Sequence, residues 1–197
     1  NNRCEWCYAQ RTLSNTGLMD FAKAKVAVQE LKKRKVRRIM LIGGEPTIYP
    51  HFIELIQYIK QEGMQVSLAT NGRRFCDKKF AEKVVQAGIT SIDISLKAIT
   101  EEDYFKNTGS YGLKEMLTGY QNLKDIGFKS SVSYVIVEDS EPKFKEVVQF
   151  ISNQEITDFS IQFVKPVVED RMTREVLDLK KMGNFVKKIY EIMREYK

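Results

Sequence analysis

Cysteine and histidine are scarce in this chain of 197 residues, which has three cysteines and one histidine. A small, odd number of cysteines does not make a disulfide scaffold, and reduced thiols are expected instead. No apolar run approaches the roughly 20 residues needed to cross a bilayer, and the N-terminus lacks the pattern of a signal peptide. We therefore expect a soluble, cytoplasmic protein with no membrane partner.

A strong excess of one charge is also absent, since 32 basic and 26 acidic residues give a formal net charge of +6. Much of the basic excess lies in residues 32–38. We interpret this stretch as the solvated end of a helix, where cations oppose the negative end of the helix dipole. A nucleic-acid site would usually add interleaved aromatic residues or a wider basic face, so no nucleic-acid partner is expected.

Short β-branched runs alternate with segments of helical periodicity along the whole chain. The predicted strands are residues 38–42, 65–70, 91–96, 131–137 and 159–164. The predicted helices are residues 18–34, 51–61, 77–86, 113–125, 142–152 and 176–196, with Gly63, Gly88 and Gly127 just after three of them as C-caps. This order predicts an α/β fold with a parallel sheet, open or closed into a barrel. We expect one domain over residues 1–197, with residues 107–112 as an ordinary strand-to-helix loop.

Two motifs carry chemistry. Cys4 and Cys7 have the C-x-x-C spacing that lets two sulfurs face one iron or zinc ion. A thioredoxin-like redox pair, a zinc knuckle completed by Cys76 and His51, and incidental thiols are the alternatives. The second motif, residues 43–46, follows a predicted strand at the sheet edge where βα proteins bind ligands, although Gly-Gly before Pro also suits a plain turn.

In this order, Cys4-Glu5-Trp6-Cys7 and Gly43-Gly44-Glu45-Pro46 resemble the cysteine motif and the glycine-rich loop of the radical S-adenosylmethionine (radical SAM) enzymes. The resemblance implies a partial (βα)6 barrel whose first strand and first cluster cysteine lie before Asn1. It is greatest to the branch of peptide maturases and molybdenum-cofactor cyclases.

The resemblance also implies the cofactors, a [4Fe–4S] cluster held in part by Cys4 and Cys7, and S-adenosylmethionine (SAM). The expected reaction is reductive cleavage of SAM to a 5'-deoxyadenosyl radical that removes a hydrogen from a peptide or small-molecule substrate. An electron donor such as flavodoxin or ferredoxin is the expected partner. The alternative is a βα-barrel binding module or partner subunit that has no cluster.

The residues that the resemblance assigns to SAM lie mostly at predicted strand ends. The loop of residues 43–46 is expected to hold the methionine amino group through backbone carbonyls and the Glu45 carboxylate. Side chains near the ends of other strands are expected to contact the ribose, carboxylate and adenine. The full set is Gly43, Gly44, Glu45, Pro46, Asn71, Ser95, Lys97, Trp6 and Val137. No general base is required for the cleavage, so no catalytic side chain is assigned.

Overall fold

A five-stranded parallel sheet forms the centre of the molecule. The computed structural model describes residues 2–4, 6–7, 17–136, 143–163 and 179–195. Within these ranges the strands are β1 (Arg38–Leu41), β2 (Gln65–Thr70), β3 (Ser91–Leu96), β4 (Ser131–Ile136) and β5 (Phe159–Phe163). They are hydrogen-bonded in chain order, β1-β2-β3-β4-β5, and every neighbouring pair is parallel. The predicted α/β class with a parallel sheet is confirmed.

Helices connect the strands, as the alternation predicts. They are α1 (Phe21–Lys33), α2 (Phe52–Gln61), α3 (Lys78–Gln86), α4 (Glu101–Thr108), α5 (Leu113–Asp125), α6 (Phe144–Asn153) and α7 (Leu179–Glu195). The C-cap glycines Gly63, Gly88 and Gly127 have φ values of 80°, 95° and 76°, so that prediction is also confirmed. None of the described helices is long and apolar enough to cross a membrane.

Helix α4 is an element that the sequence prediction missed. Residues 107–112 were expected to be a strand-to-helix loop, but the helix continues to Thr108 and the connection begins at Gly109, whose φ is 63°. Thr100 caps the helix, since its Oγ1 accepts from the backbone nitrogen of Asp103 at 3.1 Å. Two short 3-10 helices, Pro46–Ile48 and Arg73–Cys76, were missed as well.

The two faces of the sheet differ in chemistry. Alternate residues of β2, β3 and β4 are buried apolar side chains that join one hydrophobic core with the helices; examples are Leu68, Ile94 and Val132. Most of the side chains between them are polar, although Ala69 and Val135 are not, and the register brings Asp93 beside Ser131. Because successive side chains in a strand point to opposite faces, the second face is hydroxyl-rich and leaves polar groups at the strand ends.

Two glycines allow a close approach between α5 and the turn after β2. Gly72 has φ 76°, and a Cβ on it would lie 2.6 Å from Cγ2 of Ile94. A Cβ on Gly119 would lie 2.5 Å from the Gly72 carbonyl oxygen. Helix α5 therefore fixes the position of the turn at residues 70–73, at the same end of the sheet as residues 43–46.

Candidate functional site

The cysteine loop is a tight turn near Lys97, which follows the end of β3. The backbone nitrogen of Cys7 donates to the carbonyl of Cys4 at 3.1 Å. Cys4 is buried, with 8% of its surface exposed, whereas Cys7 is half-buried. Burial raises the pKa of the Cys4 thiol, and the nearby positive charge of Lys97 partly opposes that rise.

Ser95 and Lys97 share one face at the end of β3, as the strand alternation predicts. The Lys97 Nζ atom donates to Ser95 Oγ at 2.6 Å, and both side chains are half-buried. The Lys97 carbonyl accepts from Nδ2 of Asn107 at 2.7 Å. Burial lowers the pKa of Lys97, and the negative charges of Cys4, Cys7 and Asp93 oppose this. The Lys97 ammonium is therefore half-buried beside Ser95, and it interacts electrostatically with the two thiols.

The Glu45 carboxylate is a buried acceptor that joins two loops, and it is 8% exposed. Its Oε1 accepts from Thr47 N at 3.2 Å, from Thr47 Oγ1 at 2.7 Å and from Thr70 Oγ1 at 2.7 Å. Its Oε2 accepts from Asn71 N at 2.8 Å. We name this arrangement of Glu45, Thr47, Thr70 and Asn71 the Glu45 clamp, since it ties the end of β1 to the end of β2.

The two glycines before Glu45 leave the backbone accessible. Gly43 and Gly44 are exposed, and a Cβ on Gly43 would meet nothing within 4 Å. Pro46 starts the following 3-10 helix, and Glu45 is its N-cap residue. The segment therefore presents open backbone on the outside and is fixed from the inside by the Glu45 clamp.

The segment before the cysteines is fixed by side chains far away in sequence. The Asn2 Oδ1 atom accepts from Arg73 Nη1 at 3.2 Å and from Ser110 Oγ at 3.1 Å. Its Nδ2 atom donates to the Tyr104 hydroxyl at 3.0 Å. The backbone nitrogen of Arg3 donates to the Thr108 carbonyl at 2.6 Å. We call Asn2, Arg73, Tyr104 and Ser110 the Asn2 network.

A carboxylate lies on the polar face of the sheet, deeper along β3. Asp93 accepts from Ser131 Oγ at 3.0 Å and from Ser133 Oγ at 2.8 Å. Asp93, Ser95 and Lys97 alternate along one face, so the polar face continues from the cysteine loop into the sheet.

The remaining predicted residues are distributed as follows. Trp6 is half-buried between the two cysteines, and Asn71 accepts from Arg73 N at 3.0 Å through Oδ1. Val137 lies outside the described residues. His51 lies 3.7 Å from Glu54. In the parts of the chain that the structure describes, no three potential metal ligands of the His, Cys, Asp or Glu type come together, so Cys76 and His51 do not complete a zinc knuckle.

Sequence reasoning missed the roles of Asn2, Thr47, Arg73 and Tyr104. Their side chains act on residues distant in sequence, and no local pattern marks such contacts. Only the Thr-Asn-Gly turn at residues 70–72 indicated in the sequence that this region belongs to the site, since it follows a strand at the same sheet edge as residues 43–46.

Comparison with known proteins agrees with this geometry. Residues 1–151 match the family model of the radical SAM superfamily. A curated relative from Metallosphaera sedula, named "Probable GTP 3',8-cyclase", is 31% identical over 140 residues, which are 70% of this chain and 44% of the relative. A second relative of that name, from Saccharolobus solfataricus, is 24% identical over 96% of this chain and 62% of its own length. The chain thus spans about half the length of these relatives.

Solved structures share the fold at low sequence identity. Streptococcus suis SuiB bound to the precursor peptide SuiA has a TM-score of 0.80 at 17% identity, over 100% of this chain and 44% of that one. The protein anSMEcpe with bound AdoMet and a Kp18Cys peptide has a TM-score of 0.82 at 15% identity, over 97% of this chain and 56% of that one. Because the family model covers more than half of the residues, this chain belongs to the radical SAM superfamily, a family of enzymes that use a [4Fe–4S] cluster and SAM.

Proposed function

We propose that Cys4 and Cys7 supply two thiolates to a [4Fe–4S] cluster and that SAM binds between this loop and the ends of β1, β2 and β3. The observation that carries the proposal is the place of the cysteine loop near the polar end of β3. The backbone nitrogen of Arg3 donates to the Thr108 carbonyl at 2.6 Å, and Asn107, the residue before Thr108, donates to the Lys97 carbonyl at 2.7 Å. Two sulfurs three residues apart in one turn fit two ligand positions of such a cluster.

The residues around this loop suit the groups of SAM. The open backbone at Gly43 and Gly44, with the adjoining Glu45 and Pro46, is proposed to bind the methionine amino group. The ammonium of Lys97 is proposed to pair with the methionine carboxylate, and Ser95 to hydrogen-bond the ribose. Glu45 acts here mainly through its clamp, because its carboxylate already accepts four hydrogen bonds.

Three further residues are proposed to complete the SAM site. Trp6 and Val137 are assigned to the adenine, and Asn71 keeps the turn after β2 in contact with the Glu45 clamp. When bound, the reduced cluster and SAM supply a one-electron cleavage that leads to removal of a substrate hydrogen. The protein's part is to orient these groups and to exclude water from the half-buried space around Lys97.

The substrate is proposed to be a peptide or a small metabolite, and the electron donor a flavodoxin or ferredoxin. The peptide-bound SuiB and anSMEcpe structures support the first class, and the cyclase relatives support the second. Either substrate is proposed to lie on the polar face of the sheet beyond Ser95, where the hydroxyls of Ser131 and Ser133 hold the Asp93 carboxylate in place.

The test is SAM cleavage by the anaerobically reconstituted full-length protein under dithionite, with 5'-deoxyadenosine measured by mass spectrometry. Wild type is expected to form this product, and Cys4→Ser and Cys7→Ser are expected to form none. Cys76→Ser is the matched control, since Cys76 is exposed and lies outside the proposed site. A wild-type protein that reconstitutes without colour and forms no product would favour the binding module instead.

A further inference from the structure

The Asn2 network connects the cysteine loop to the body of the protein through one side chain. Asn2 lies two residues before Cys4, and its amide contacts three separate elements: the 3-10 helix at Arg73, helix α4 at Tyr104 and the connection at Ser110. Each of these contacts joins residues more than 70 positions apart in sequence. A surface segment gains such contacts only if the fold holds all the partners in place.

Arg73 is itself fixed on several sides. Its Nε atom donates to Glu115 Oε2 at 2.5 Å, and its Nη1 atom also donates to Ser110 Oγ at 3.2 Å. The side chain crosses the backbone of Gly112, where an added Cβ would lie 2.7 Å from Nε. The guanidinium therefore reaches Asn2 from a well-defined position at the start of α5.

The same turn also contacts the loop at the end of β1. Arg73 directly follows residues 70–72, and the backbone nitrogen of Asn71 donates to Glu45. The Asn71 Oδ1 atom accepts from the backbone nitrogen of Arg73, which makes the turn one rigid unit. Residues 70–73 thus contact Asn2, in the segment that leads to Cys4, on one side and Glu45 on the other.

We propose that Asn2 and Arg73 are positioning residues that hold the cysteine loop in a fixed place relative to the loop of residues 43–46. The inference rests on the proposed function, because positioning has a purpose only if the cysteines bind a cluster. Neither side chain touches the cluster or SAM in this proposal. Asn2 acts through the backbone that leads to Cys4, and Arg73 acts through Asn2.

Three variants test the network by different means. Asn2→Leu keeps the number and branching of the side-chain heavy atoms and removes the hydrogen bonds, whereas Asn2→Asp keeps the oxygen that accepts from both Arg73 and Ser110. Gly112→Ala alters no hydrogen-bonding group but displaces the Arg73 side chain. Lys124→Ala is the control, since it removes an exposed ion pair with Glu155.

The measurement is the rate at which the anaerobically reconstituted, full-length protein loses iron to a chelator. Asn2→Leu and Gly112→Ala are each expected to lose iron about tenfold faster than wild type, the change expected when one or two hydrogen bonds are lost. Asn2→Asp and Lys124→Ala are expected to stay within about threefold of wild type. The double variant Asn2→Leu/Gly112→Ala is expected to be no faster than the more affected single variant, because both changes break one connection.

A second readout separates positioning from general stability. Addition of SAM to the reduced wild-type protein is expected to change the EPR spectrum of its cluster, and Asn2→Leu is expected to weaken this change at saturating SAM. Thermal unfolding of the cluster-free proteins shows whether each variant folds. If Asn2→Leu fails to fold, the rates of iron loss from Gly112→Ala and Asn2→Asp still decide whether the Asn2 network positions the cysteine loop.

The outcomes distinguish this inference from the function on which it rests. A wild-type protein that holds no iron overturns both. A wild-type protein that holds a cluster, with Asn2→Leu and Gly112→Ala losing iron at the rate of Lys124→Ala and responding normally to SAM, overturns the positioning role alone.

Discussion

The Glu45 clamp yields the sharpest prediction about stability. The substitution Glu45→Ala removes an acceptor that takes four hydrogen bonds from three residues. Thr47 is 0% exposed and Thr70 is 4% exposed, so water does not replace the carboxylate at their hydroxyls. Asn71 is half-buried, so its backbone nitrogen is more easily rehydrated.

The expected change in the free energy of unfolding follows from how deeply these donor groups are buried. A buried polar group left without a partner costs about 1–3 kcal/mol. Two hydroxyls, the buried backbone N–H of Thr47 and the partly hydrated N–H of Asn71 are affected. Allowing for relaxation of the loops, Glu45→Ala is expected to lower the free energy of unfolding by about 3–5 kcal/mol. Glu45→Gln keeps one acceptor oxygen but turns an amide N–H group toward a donor. It is expected to lower the free energy of unfolding by about 1–3 kcal/mol.

Urea denaturation of the cluster-free protein measures these changes. Glu155→Ala is the matched control, because it removes an exposed carboxylate that pairs with Lys124 and is expected to cost at most about 1 kcal/mol. Thr70→Val removes the hydroxyl that donates to Glu45 and that also accepts from the backbone nitrogen of Gly72 at 3.1 Å. Because this variant leaves the carboxylate in place, it separates the clamp from a direct contact of Glu45 with SAM. If the Glu45 clamp positions the loop of residues 43–46, Thr70→Val weakens SAM binding as Glu45→Ala does.

Two results would refute this reasoning. A Glu45→Ala protein as stable as Glu155→Ala would mean that the buried carboxylate contributes nothing net to the fold. An unchanged dissociation constant for SAM in Glu45→Ala would remove Glu45 from the cofactor site altogether.

Two further predictions concern packing and pH. Gly119→Ala is expected to destabilise the protein by about 1–3 kcal/mol, because its Cβ would lie 2.5 Å from the Gly72 carbonyl oxygen. A Cβ on Gly183 in α7 would meet nothing within 4 Å, so Gly183→Ala is expected to stabilise the protein by up to about 1 kcal/mol. Urea denaturation of both variants measures these changes, and equal effects would contradict the packing argument. Burial raises the pKa of Tyr104 from 10.0 to about 12, so the folded state keeps a proton that the unfolded state releases in this window. The free energy of unfolding should therefore fall from pH 10 to 12 by up to about 1.4 kcal/mol per pH unit, and a Tyr104→Phe protein with the same alkaline decline would contradict the assignment.

The sheet could be predicted from the sequence because its signals are local. Strands β2 and β3 have the predicted bounds, and helix α5 does too. Each of these segments combines a clear period with a glycine or polar residue at its end, and the core packing agrees with that local preference.

Helix α4 was predictable in principle but was missed. Thr100 followed by Glu101, Glu102 and Asp103 is the sequence of an N-cap and an acidic first turn, and Gly109 marks the end. The loop predicted at residues 107–112 rested on the glycines and serine after Thr108, which mark only the connection to α5.

The site was predictable only in its motifs. The spacing of Cys4 and Cys7 and the strand before residues 43–46 are visible in the sequence, whereas the Glu45 clamp and the Asn2 network join residues 25 to 108 positions apart. Pairings of this kind depend on the strand register and on close packing such as that of Gly72 against α5. Those features exist only in the folded chain.

Whether Cys4 and Cys7 hold a cluster is decided by the iron and acid-labile sulfide content of the full-length protein, purified and reconstituted without oxygen. About four of each per chain and a brown colour are expected, with both lost in Cys4→Ser and retained in Cys76→Ser. A colourless wild-type protein, or a Cys4→Ser protein that keeps its full iron content, would contradict this expectation.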